Sequence, residues 1–154
     1  MNESRNGKEI GFVPLHCGGV RDRHMVPEFR MGLVSFRRLV ALDMTPDTLR
    51  ACYNFLNETR PFDRWNLPDG DDVEFRVVRD PTLFGWYMRE NGKHIIGIST
   101  STVKHTDTLI RTMSHEMVHL HEHNSGPCGK GHSRAFRGYA VQVCRHHGFD
   151  PGAF

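Results

Sequence analysis

The residues best suited to chemistry lie in one short run, Ser114 to His119, which reads Ser-His-Glu-Met-Val-His. On a helix, two histidines four apart project about 40° from one another, so their rings can share one metal ion. Glu116 lies about 100° round from His115, too far to join as a ligand, but it can reach a water on that ion. Zinc would lower the pKa of such a water toward about 7 and polarise a carbonyl; Glu116 would take the proton and pass it to a leaving amine. The expected activity is metal-assisted hydrolysis of an amide, with His115 and His119 as ligands and Glu116 as base.

A catalytic zinc site needs a third protein ligand and an open position. Downstream stand His121, His123, Cys128 and His132. His121 projects roughly opposite the His115 and His119 sector. His123 faces about the right way, but it lies about 12 Å along the axis from His115, too far for three rings to close on one ion. His132 follows a turn containing Gly126, Pro127, Gly129 and Gly131, which lets the chain reverse, so His132 is the expected third ligand. Cys128 supplies an alternative: a thiolate there would close a four-ligand structural site. Tyr139, seven residues beyond His132, is either an oxyanion stabiliser or a core aromatic with a satisfied hydroxyl.

These residues need a helix to carry them, and Leu109, Ile110, Met113, Met117 and Leu120 supply its apolar stripe, running to about His123 after a cap at Thr106 or Asp107. His115 and His119 fall outside that stripe and Glu116 lies between, so the motif should line a cavity floored by the core. Upstream, Thr45-Pro46-Asp47 reads as a cap with proline at the first helical position, and Leu49, Cys52, Tyr53 and Leu56 then recur at helical spacing, predicting a helix over 46–58. Strands are predicted over 72–79, with Val73, Phe75 and Val77 on one face, over 84–89, and over 94–99, the last two joined by an Asn91-Gly92 turn. A last helix over 133–147 places Phe136, Ala140 and Val143 on one face and meets Gly148 at its end. The expected fold class is α+β: a helix, a small antiparallel sheet, then the metal helix and a C-terminal helix.

The chain has 154 residues, 38% of them apolar and 25% charged, which suits one domain with one core. Glycines and prolines interrupt the first thirty-odd residues, so residues 1–35 are expected to form an irregular arm and 36–154 the domain. No run approaches the roughly 18 apolar residues of a membrane span, and the N-terminus lacks the pattern of a secretory signal, so a soluble, cytoplasmic protein is expected. Cys17, Cys52, Cys128 and Cys144 form no C-x-x-C pair and read as reduced thiols. Net charge is only +2, but the stretch after Cys128 carries Lys130, Arg134, Arg137 and Arg145 against Asp150 alone.

The run H-E-M-V-H followed by the glycine-flanked histidine of G-K-G-H-S-R-A-F resembles the SprT-like zinc metallopeptidases, which include the Spartan-type DNA-protein crosslink proteases. The resemblance extends through C-Y-N-F-L-N-E-T-R-P-F-D-R-W-N-L and the three strands, over roughly residues 45 to 147. It implies a zincin-like fold, one catalytic zinc ion on His115, His119 and His132, Glu116 as base, and Phe136 as the aromatic of the pattern. A polypeptide substrate is implied, with DNA or a DNA-bound protein as partner. Ser133 and Arg134 depart from the usual glycine and its neighbour, and no zinc ribbon follows the last helix, as in stand-alone members from bacteria and phages. Two other readings remain beside it: a zinc-stabilised module that binds nucleic acid or protein without catalysis, and a zinc amide hydrolase that acts on something other than a peptide.

Overall fold

The computed structural model describes residues 43–126 and 131–154. The expected arm over 1–35 and the Cys128 alternative lie outside them. The first helix, α1, runs Pro46–Asn57. Thr45 caps it by accepting from the Thr48 backbone N–H at 3.1 Å, and proline at the first turn costs no hydrogen bond that the helix would otherwise make. Its buried residues, Leu49, Tyr53 and Leu56, follow helical spacing and make one apolar face. After a 3-10 turn over Phe62–Arg64, the chain returns beneath this helix, and the Tyr53 hydroxyl donates to the Pro68 carbonyl at 2.9 Å.

Three strands follow: β1, Val73–Val78; β2, Gly85–Glu90; and β3, Lys93–Ser99. They form one sheet in the order β1-β3-β2, with β1 parallel and β2 antiparallel to β3. The expected all-antiparallel sheet is therefore corrected to a mixed one. The reason lies in β3, whose residues Ile95 through Ser99 are all buried. So apolar a strand belongs in the centre, shielded on both sides. The tight turn at Asn91 and Gly92, both at positive φ (49° and 80°), pairs β2 with β3. Residues 79–84 then carry the chain across the end of β3, so that β1 takes the other flank.

Register sorts the faces. Val73, Phe75 and Val77 of β1 share a face with Ile96 and Ile98 of β3 and with Gly85 and Tyr87 of β2. That face meets the helices, and its apolar residues join the core with Leu49, Tyr53 and Met113. On the other face the Trp86 indole lies against Gly97, where a Cβ would collide with it.

The long helix α2 spans Thr106–Ser125, starting after His105 rather than after the expected Thr106 or Asp107 and extending two residues past His123. Leu109, Met113, Met117, Val118 and Leu120 bury its stripe against the sheet and α1. The last helix, α3, covers Arg134–His147; Ser133 caps it by accepting from the Phe136 N–H at 3.1 Å. It ends at Gly148, whose φ of 73° is the left-handed geometry that glycine adopts without strain. The fold class is α+β, with three α-helices on a small three-stranded sheet among the described residues.

Candidate metal centre

Helix α2 holds His115 and His119 one turn apart, and the lead-in to α3 brings His132 to them. One ligand nitrogen from each of the three rings lies within 4.8 Å of the others. Nε2 of His115 and Nε2 of His132 are 3.0 Å apart. The ring centroids form a nearly even triangle of 5.0, 4.9 and 5.2 Å. A tetrahedral ion with bonds of about 2.0–2.1 Å sets its ligand nitrogens about 3.3 Å apart, so three imidazoles gathered this closely fit such a group.

Phe136 supports all three rings at once, its centroid 5.0 Å from His115, 4.3 Å from His119 and 4.4 Å from His132. It is buried on the first turn of α3, where the Ser133 cap fixes it. The aromatic wall also excludes water, and that desolvation is the main reason His115 and His119 have their pKa values pushed down to about 4, with the neighbouring rings adding repulsion. Such rings are neutral at physiological pH and offer the unprotonated nitrogen that a metal requires.

Glu122, buried on α2 three residues after His119, accepts a short hydrogen bond from the Ser133 hydroxyl. The carboxylate thereby ties the end of α2 to the residue next to His132. This clamp was not anticipated from the sequence, because the two residues are eleven apart and meet only after the chain reverses.

Glu116 is 5% exposed, and burial raises its carboxyl pKa to about 8. It projects from α2 beside the histidines rather than among them. It faces the start of β2, where a Cβ on Gly85 would stand 3.0 Å from Glu116 Oε1 and 2.9 Å from Thr112 Cγ2. Only a residue without a side chain lets the strand pass this close to the helix. A cavity of about 300 Å³ opens here, floored by Arg111, Thr112, His115 and Glu116 from two successive turns of α2 and walled by Phe84, Gly85 and Phe154. Arg111 and Thr112 sit four residues before the His115–Glu116 pair, so helical spacing alone already puts them on the cleft face. Phe84, Gly85 and Phe154 carry no such signal.

The other candidate residues lie elsewhere. His121 stacks on Trp65 at 4.2 Å, and His123 packs edge-on to Tyr87 at 5.9 Å. Tyr139 is not brought to the triad: its ring rests against Trp65 at 5.3 Å and His121 at 4.6 Å. The spacing of seven from His132 assumed one continuous helix, but α3 begins only at Arg134, so His132 and Tyr139 share no helical face.

Comparisons of the chain with family models, with curated proteins and with solved structures return no match.

Proposed function

We propose that this protein is a zinc-dependent metallopeptidase of the SprT-like kind, with His115, His119 and His132 holding one catalytic zinc and Glu116 as general base. The observation that carries the reading is the placement of Glu116: a buried carboxyl outside the three-histidine cluster, on the floor of an open cavity that it shares with His115. A purely structural ion would need neither the cavity nor the acid.

Bound zinc would supply Lewis-acid polarisation of a carbonyl and of a water, and would draw the raised pKa of Glu116 downward. The protein's part is to position and to move a proton. Glu116 accepts it from the water through a carboxylate oxygen and returns it to the nitrogen of the departing chain, a task suited to an acid whose pKa lies near the working pH. Phe136 packs against all three rings and holds them together. Strand β2 has β3 as its only strand neighbour among the described residues, and an extended polypeptide in the cleft would run beside its other edge.

DNA-associated proteins are the proposed substrates. Exposed Arg134, Arg137 and Arg145 fall along one side of α3, and among the described residues none of them makes an ion pair. At about 1.5 Å per residue they span roughly 16 Å, enough for two or three phosphates of a single strand.

The test is cleavage of an unstructured protein by the zinc-loaded chain and by Glu116→Gln, with and without single-stranded DNA. The proposal expects cleavage by the first alone, while both retain zinc, and faster cleavage with DNA. Equal turnover by Glu116→Gln would remove the base from its role. No cleavage by fully loaded protein would favour a non-catalytic zinc module or a hydrolase of small amides.

A further inference from the structure

The cleft floor carries one cation that the proposed mechanism does not use. Arg111 stands one turn before His115 on the same face of α2, is half-buried, and lines the cavity over His115 and Glu116. It also lines a second cavity of about 480 Å³, whose walls include Phe55, Ile110 and Phe149. Asp107, one turn away in that second cavity, forms no salt bridge with it, and Arg111 has no ion pair or side-chain hydrogen bond among the described residues. A partly desolvated guanidinium with its donors unused is a ready receptor for a carboxylate, which it can bind through two parallel hydrogen bonds. Phe84, 52% exposed at the rim, and Phe154 give the first cavity apolar walls, which keep water from screening the pair.

We infer that Arg111 forms an anion subsite of the cleft, which selects polypeptides carrying a carboxylate within about two residues of the bond to be cut. The distance follows from the helix. Arg111 and His115 are about 6 Å apart along the axis, and one residue of extended chain covers about 3.3 Å. Glu116, the other charged side chain of the first cavity, does not pair with it and is committed to proton transfer. The inference rests on the peptidase reading for the nature of the ligand. The carboxylate can belong to an Asp or Glu side chain or to the end of a chain, and the experiment separates the two.

Matched labelled peptides would carry Glu or Gln at each of the two positions on either side of a central bond, each with a free or an amidated C-terminus. Their affinities would be measured by fluorescence anisotropy on zinc-loaded Glu116→Gln and on the same protein with Arg111→Gln or Arg111→Lys added. Zinc content and melting would confirm that each variant is folded. The expected result is a preference of about tenfold for the carboxylate peptide over its amide partner, weakened by salt. It should be lost in Arg111→Gln and partly kept in Arg111→Lys. A preference tied to the Glu position would assign side-chain recognition, and one tied to the free end would assign terminal recognition. An equal preference with and without Arg111, no preference, or no peptide binding would overturn the inference. Hydrolysis by the chain with native Glu116 separates the two proposals: Arg111-dependent binding without cleavage sinks the peptidase reading and keeps the subsite, whereas cleavage indifferent to charge does the reverse.

Discussion

Removing the buried Glu116 carboxyl should make the metal-free protein more stable. Glu116 is 5% exposed, and its pKa rises from 4.5 to about 8 through burial. Below about pH 4.5 the carboxyl is protonated in both folded and unfolded chains, so it favours neither. Between 4.5 and 8 the unfolded chain releases the proton while the folded chain keeps it, and stability falls by about 1.4 kcal/mol per pH unit. The decline levels off above pH 8. At pH 7 the accumulated cost is roughly 3 kcal/mol, which Glu116→Gln avoids because its amide never ionises. His115 and His119, with pKa values pushed down, contribute the opposite slope between about 4 and 6.5, but this cancels when the two proteins are compared at one pH. Urea unfolding of both proteins with chelator present, at pH 4.5, 6, 7 and 8, reads the difference directly. It should be within about 1 kcal/mol at pH 4.5, grow in favour of Glu116→Gln to pH 8, and shrink when zinc is restored, since a divalent charge favours the carboxylate. A difference that stays flat across this range would refute the claim that burial holds the Glu116 proton.

Three further substitutions test the proposed ligand set and its support. His132→Ala should lower zinc affinity by more than about 100-fold while His123→Ala leaves it within a few-fold, because the His123 ring packs on Tyr87 outside the cluster; competition with a chromophoric chelator measures both. Ser133→Ala removes the α3 cap and the Glu122 clamp together, so it should cost about 1 kcal/mol in stability and weaken zinc binding by roughly tenfold. Unchanged zinc affinity in Ser133→Ala would show that the clamp does not orient His132.

Local rules sufficed for much of this protein. Thr45-Pro46 announces α1, Asn91-Gly92 announces the hairpin, and the stripe from Leu109 to Leu120 announces α2, because capping, positive φ and helical phase are properties of a few adjacent residues. The same phase put His115, His119 and Glu116 in their relative directions, since one rigid helix carries all three. The sheet order was not legible in this way: β1 and β2 are neighbours in sequence, yet the burial demand of the isoleucines in β3 separates them. Tyr139 rests on Trp65 and His121 because His132 lies outside α3, so a spacing of seven does not set the two on one face.

The contacts around the three-histidine cluster also came from tertiary structure alone. Phe136 spans three rings, Glu122 reaches Ser133, and Gly85 leaves Glu116 its space, each across a chain reversal or between a strand and a helix. By itself, the sequence determined which residues could do the chemistry and the turn of helix that presents two of the histidines and the acid. Only the packing of β2, α2 and α3 decided which rings meet and what walls the cleft, because such contacts depend on how the whole core closes rather than on any one segment.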